Sequence, residues 1–207
     1  MFKLICTHPV YNHCLSVWDK VRTVSSFFRE FVQAPSHVGS ICPSSKALTS
    51  AMLKLAGCLN SDGFIVDLGA GSGVITENLL KIGVDPQRLL AVEISSGFAD
   101  VFKRRCPGVP LFMEDARNLS LILDRLDAKR PVSSIISSLP LRIMPGDSVR
   151  EILDEVKTVL QKRNGSFIQY TYAWWMRYPL SKYGFQPDTA RIVLKNIPPA
   201  KVESYVL

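Results

Sequence analysis

The stretch Phe64-Ile-Val-Asp-Leu-Gly-Ala-Gly-Ser-Gly73 constrains this chain more than any other. Apolar residues around one acid read as a buried strand, alternate glycines make a turn, and the residues after Gly73 read as a helix to about Lys81. Glycines at such a turn permit positive φ and let a ligand approach the backbone with no Cβ in the way. A strand that passes through a tight turn into a helix is the building unit of a parallel sheet covered by helices.

The unit repeats downstream. Leu89 to Glu93 is expected as a second strand before a helix around Phe98 to Arg104. A short strand near Leu111 to Met113 precedes a helix from Leu119 to about Lys129, and Val132 to Ser137 precedes a helix over Ser148 to Lys162. Ser166 to Ala173 is a fifth, aromatic strand. The tail pairs Ala190 to Lys195 with Lys201 to Val206 across Pro198-Pro199, an antiparallel hairpin. The expected fold is α/β, a Rossmann-like, doubly wound mixed sheet of about seven strands with an N-terminal amphipathic helical extension. Residues 1–60 are read as the helical extension and 61–207 as the sheet domain.

Composition narrows the function classes. In 207 residues, 47% are hydrophobic and 21% charged, which excludes a disordered or fibrous chain. The net charge of +7 favours anionic partners, nucleic acid or an acidic membrane surface. Residues 1 to 57 hold six basic side chains and two acidic ones, more than half of that surplus. Cys6, Cys14, Cys42, Cys58 and Cys106 are scattered without a CxxC pair. They read as reduced thiols in a cytosolic protein rather than metal ligands or a disulfide framework. The longest uncharged aromatic stretch, Asn164 to Met176, is too short to span a bilayer, and the first residues lack a signal-peptide run, so neither export nor membrane spanning is expected.

The chemistry lies at successive strand ends. The spacing GxGxG departs from the GxGxxG that seats a dinucleotide pyrophosphate, and Asp67 just before it would repel such a group. An ammonium or sulfonium would suit it. Glu93, 20 residues after Gly73, stands where an acceptor binds ribose hydroxyls. Asp115 follows the third strand, where a carboxylate can accept from an adenine amino group. Ribose, adenine and a cationic amino acid together describe S-adenosylmethionine. Residues 64 to 140 resemble the class I S-adenosylmethionine-dependent methyltransferases. That resemblance implies a methionine end lined by Gly69, Gly71 and Gly73, ribose on Glu93 and adenine on Asp115. Asp67, Ala116, Ser138 and Leu139 complete the expected cofactor site.

The acceptor is expected after the fourth strand. Methyltransferases acting on nucleobase amines carry Asn or Asp, two prolines and an aromatic there; a side chain and a carbonyl hold the amine while the ring stacks on the base. This chain has Ser138-Leu-Pro-Leu141, with no ring, which suits an aliphatic amine. Upstream, Val17, Trp18, Val21, Val24, Phe27, Phe28, Phe31 and Val32 share one helical face beside Lys20, Arg22 and Arg29. Such a face fits a membrane interface, or packing on the protein's own sheet.

The segment Phe28-Arg-Glu-Phe31 through Pro35 and His37 to Ser45 resembles bacterial phospholipid N-methyltransferases. So do Ser138 to Leu141, Phe167 to Tyr172, and Ala190-Arg-Ile-Val through Pro198-Pro199. The resemblance implies methylation of phosphatidylethanolamine towards phosphatidylcholine by a cytoplasmic enzyme, peripheral on the inner face of the membrane. Its implied partners are the phospholipid substrate and an anionic surface met by residues 15–34, with no nucleic acid. Ornithine-lipid N-methyltransferases share these features, and an rRNA adenine N6-dimethyltransferase is a further alternative. A non-catalytic module that binds a membrane is a third reading. A proton must leave the lipid ammonium before attack; His37, Tyr170, Tyr172 and Glu30 are candidate bases, with the tyrosine pair preferred because aromatic faces also welcome methylammonium. Trp174 and Trp175 would extend that wall. Arg142 or Lys46 would hold a lipid phosphate, and Ser44 or Ser45 would cap a helix beginning near Lys46.

Overall fold

The computed structural model describes residues 46–56, 62–127, 129–142, 144–171, 180–195 and 199–207. Expectations for the helix over residues 17–32, for Glu30, His37, Ser44, Ser45, Tyr172, Trp174 and Trp175, and for the Lys46 side chain lie outside the described residues.

Runs of four to eight apolar residues with buried faces become strands here, and stretches with apolar residues every three or four positions become helices. In chain order these are α1 (Lys46–Ala56), β1 (Phe64–Leu68), α2 (Val74–Lys81), β2 (Leu89–Val92), α3 (Ala99–Arg105), β3 (Leu111–Phe112) and α4 (Leu119–Asp127). Then follow β4 (Val132–Ser137), α5 (Gly146–Arg163), β5 (Ser166–Thr171), β6 (Gln186–Val193) and β7 (Ala200–Val206). The seven strands form one sheet in the order β3-β2-β1-β4-β5-β7-β6. Strands β1 to β5 run parallel, and β7 is antiparallel to both β5 and β6. This is the Rossmann-like α/β fold expected from the sequence.

Strand residues alternate between two cores because successive side chains point to opposite faces. Phe64, Val66, Leu68, Ile135 and Phe167 pack with α4 and α5. Ile65, Ala91, Ile136, Ile168 and Val202 pack with α1, α2 and α3. Helix α5 repeats Val149, Ile152, Leu153, Val156, Val159 and Leu160 at helical spacing, one buried stripe. At its last turn the buried Arg163 donates through Nη1 to the Asp127 and Arg130 carbonyls at 2.8 and 2.6 Å, and through Nη2 to Asp124 at 2.6 Å.

Element ends differ from the sequence reading in instructive ways. Helix α5 begins at Gly146, two residues early, because the Pro145 carbonyl accepts from Val149 N and so closes the first turn. Strand β6 begins at Gln186 rather than Ala190. Pro187 is tolerated within it because β6 is the sheet edge, and the register shifts between Pro187 and Thr189. Leu194 and Lys195 are turn, not strand.

Parallel strands end on one rim, and the antiparallel β7 begins there, with Lys201 opposite Thr171. That rim carries the glycine turn, Glu93, Asp115 and the Ser138–Leu141 loop.

Candidate functional site

The glycine turn is held from three sides. Gly69 N and Ala70 N donate to the Val92 carbonyl at 2.9 and 3.1 Å, tying the turn to β2. Arg105 Nη1 donates to the Ser72 carbonyl and hydroxyl, each at 2.9 Å. Glu93 Oε2 accepts from Gly71 N at 2.9 Å, while its Oε1 accepts from Ser95 N at 2.8 Å. Gly69, Gly71 and Gly73 all have positive φ, at 76°, 52° and 80°. A Cβ on Gly69 would lie 2.7 Å from Leu139 Cδ2, and one on Gly73 would lie 2.8 Å from the Phe102 ring. A Cβ on Gly71 would meet nothing within 4 Å. The middle glycine therefore borders open space, and its neighbours are glycine for packing as well as for φ.

Asp67 lies beneath this turn, 2% exposed. Its Oδ2 accepts from the Thr76 hydroxyl at 2.6 Å and from Thr76 N at 3.2 Å. Its Oδ1 is buried and has no partner among the described residues. Burial pushes the carboxyl up to about 6; the Thr76 hydrogen bonds oppose this and the Glu93 charge adds to it. An unsatisfied buried carboxylate oxygen beside an open glycine cradle fits a cationic group.

Asp115 is held differently. Its Oδ1 accepts from Arg117 N at 2.9 Å, and its Oδ2 pairs with the Arg117 guanidinium at 2.8 Å, which also reaches Glu151. Burial alone would raise this carboxyl, but the Arg117 side-chain and backbone hydrogen bonds outweigh it and hold the group below the usual carboxylate range. Ala116, the next residue, is buried.

Two apolar residues that the sequence reading passed over flank these acids. Ile94 follows Glu93 and is 68% exposed, and Met113 follows β3 and is 39% exposed. They stand just past the ends of the neighbouring strands β2 and β3, and both leave apolar surface exposed at the rim. The available signal was an apolar residue beside a strand-end acid, Ile94 directly after Glu93 and Met113 two positions before Asp115. Thr76 and Arg105 were also missed; both lie on helices, and only the fold returns them to the loop.

The fourth-strand loop joins the same rim. Ser138 N donates to the Leu68 carbonyl at 2.9 Å. The Leu139 carbonyl accepts from Leu141 N at 2.9 Å and from Gln169 Nε2 at 3.1 Å. Leu141, where a stacking ring would sit in a nucleobase enzyme, is 3% exposed and points into the α4–α5 core. Arg142 is partly buried. Tyr170 packs against the core under α1, α2 and α3, so it faces the opposite side of β5 from Gln169. Cys106, the described cysteine, is a buried free thiol pushed up to about 12, by burial first and then by the Asp67 and Glu77 charges. Its thiol donates to the Gly73 carbonyl. Among the described residues there is no cluster able to hold a metal ion and no helix long and apolar enough to cross a membrane.

Residues 65–163, just under half of the chain, match the family model of a methyltransferase domain, and this match together with the Rossmann-like fold supports a class I S-adenosylmethionine-dependent methyltransferase domain. S-adenosylmethionine is its cofactor. The chain is similar to the ornithine lipid N-methyltransferase of Singulisphaera acidiphila, 28% identical over 178 residues, covering 84% of this chain and 91% of that enzyme. It is 32% identical over 95 residues to the ribosomal RNA small subunit methyltransferase A of Thermotoga neapolitana, a match spanning 44% of this chain and 35% of that protein. Among solved structures, the N-methyltransferase NodS from Bradyrhizobium japonicum WM9, in complex with S-adenosyl-l-homocysteine, covers 87% of this chain and 96% of its own with a TM-score of 0.61 at 11% identity. That likeness is one of fold.

Proposed function

We propose that the protein transfers methyl groups from S-adenosylmethionine to the primary amine of a membrane lipid head group, with an ornithine lipid as the first substrate and phosphatidylethanolamine as the second. The observation that carries this reading is the loop after β4. Its Leu141 is buried in the core, so no ring stands there to stack on a base, and an aliphatic amine needs none. The similarity to an ornithine lipid enzyme along 91% of that enzyme's length supports the lipid head group over RNA, whose enzyme is matched over 35%.

When bound, the cofactor supplies an electrophilic methyl on a sulfonium. In this reading Asp67 Oδ1 receives the cationic amino-acid end against the Gly71 cradle. Glu93 meets the ribose and, through Gly71 N, also shapes the cradle. Asp115 and Ala116 border the adenine, between the apolar sides of Ile94 and Met113. Ser138 and Leu139 separate cofactor from amine. Tyr170, with Tyr172 and His37, receives the proton that the ammonium sheds or faces the growing methylammonium charge. Holding amine and methyl aligned supplies much of the rate in such a displacement. Residues 15–34 bring the enzyme to the anionic inner membrane surface, whereas α1 belongs to the core of the sheet domain.

The test is transfer of radiolabelled methyl groups into vesicles containing ornithine lipid or phosphatidylethanolamine, with and without anionic lipid, and products resolved by chromatography. Labelled lipid amines, more abundant with anionic lipid, are expected. Measurable cofactor binding with label entering only ribosomal RNA would refute the reading.

A further inference from the structure

Leu68 pairs in register with Ser137, and Ser137 with Gln169, so Gln169 stands two strands from the end of β1, roughly 10 Å along the rim. Beyond this row β4 leaves the sheet as the Ser138–Leu141 loop, while β5 runs on to Thr171. Gln169 fills the gap. Its Nε2 donates to the Leu139 carbonyl at 3.1 Å and to the Tyr170 carbonyl at 2.9 Å. Both partners are pure acceptors, so the amide has one acceptable orientation; turned over, Oε1 would face two carbonyl oxygens. The amide oxygen is thereby directed away from them. It is buried, and no described residue donates to it.

The Leu139 carbonyl is meanwhile spent. It accepts from both Leu141 N and Gln169 Nε2, which uses its two lone pairs. The side chain of the same Leu139 lies against Gly69, at the cofactor turn. The loop acceptor that would hold an amine is thus capped, and the group capping it presents a buried acceptor, unanswered by any described residue, on the same rim as the cofactor turn.

We propose that Gln169 positions the substrate amine: its Oε1 accepts an N–H of the attacking nitrogen, in place of the capped Leu139 carbonyl. The assignment rests on the lipid-amine reading above. One fixed N–H restricts the rotation of the nitrogen and keeps its lone pair toward the methyl. That lone pair forms the new N–C bond as the C–S bond breaks, and the electron pair leaves with sulfur in S-adenosylhomocysteine. The nitrogen emerges as an ammonium and loses one proton before the next round. A primary and a monomethyl amine each retain an N–H in the transition state, and a dimethyl amine has none. Gln169 therefore assists the first two transfers and not the third.

The experiment compares kcat/KM of wild type and Gln169→Met on ornithine lipid, its monomethyl form and its dimethyl form, each in phosphatidylglycerol vesicles. Melting temperature and S-adenosylhomocysteine affinity are measured alongside. The expected result is a loss of about 30-fold on the first two substrates and less than about twofold on the third. An equal loss on all three would overturn the proposal, leaving Gln169 as a tie between β5 and the loop. If Gln169→Met does not fold, Gln169→Glu is measured instead. Protonated, it still donates to a carbonyl and still accepts, so the same ordering with smaller losses that deepen as pH rises is expected, and a flat profile overturns the proposal. Wild-type enzyme that binds the cofactor but methylates none of the three lipids refutes the functional reading itself, and this assignment with it.

Discussion

Asp67 links cofactor binding, stability and pH through one carboxyl group. Its pKa is pushed up to about 6 by burial, against an ordinary value of 3.8. A folded-state value above the unfolded one means that the fold holds the proton more tightly, so this group's contribution to stability is greatest at acidic pH and is lost as pH rises from about 4 through about 6. The full difference is about 3 kcal/mol. Asp67→Asn removes the buried charge while keeping an acceptor for Thr76. It is expected to stabilise the protein by up to about 3 kcal/mol at pH 7.5, with the gain gone by pH 4, as read by urea unfolding. Cofactor binding should move the other way, because a cation lodged against Oδ1 needs the carboxylate. With a pKa near 6, the charged fraction falls about tenfold from pH 7.5 to pH 5, so calorimetric affinity should weaken by about tenfold, or 1.4 kcal/mol. Asp67→Asn should bind weakly and without that pH dependence. S-adenosylhomocysteine keeps the ammonium but lacks the sulfonium. The same pH profile for both ligands assigns the contact to the ammonium, and a profile seen with S-adenosylmethionine alone assigns it to the sulfonium. Wild-type affinity that is flat from pH 5 to 7.5, or an Asp67→Asn variant that binds as tightly as wild type at pH 7.5, would refute the reasoning.

Three further outcomes are expected. Gly71→Ala should cost the fold only about 1 kcal/mol, since its Cβ meets open space, yet weaken cofactor affinity by tenfold or more; Gly73→Ala, whose Cβ would press on Phe102 and Cys106, should lower the melting temperature more. Glu93→Ala removes two hydrogen bonds to backbone N–H groups and should weaken S-adenosylmethionine binding by about 3 kcal/mol, about 100-fold in calorimetry; retained affinity would remove Glu93 from the ribose site. Arg163→Met strands the Asp127 and Arg130 carbonyls and the Asp124 carboxylate, and should cost about 3 kcal/mol in denaturant unfolding with cofactor affinity unchanged.

The alternation of apolar runs with amphipathic stretches determined the five parallel strands, the covering helices and the terminal hairpin, because strand and helix periods are local properties of the chain. The same locality exposed the glycine turn and the acids at strand ends: Asp67, Glu93 and Asp115 are each recognisable beside their own strand. Partnership was not legible. Nothing in the sequence placed Thr76 on Asp67, Arg117 on Glu151, Arg105 on Ser72 or Gly71 N on Glu93, because those contacts join residues whose approach depends on how helices pack and strands order. Strand order brought β5 beside β4, and with it Gln169 to the Leu139 carbonyl 30 positions away. A glutamine in an aromatic strand carries no local mark of that role. Local sequence therefore determined which groups stand at the rim, and tertiary structure decided which of their lone pairs and protons are already spent, since a hydrogen bond is fixed by position in space and not by position along the chain.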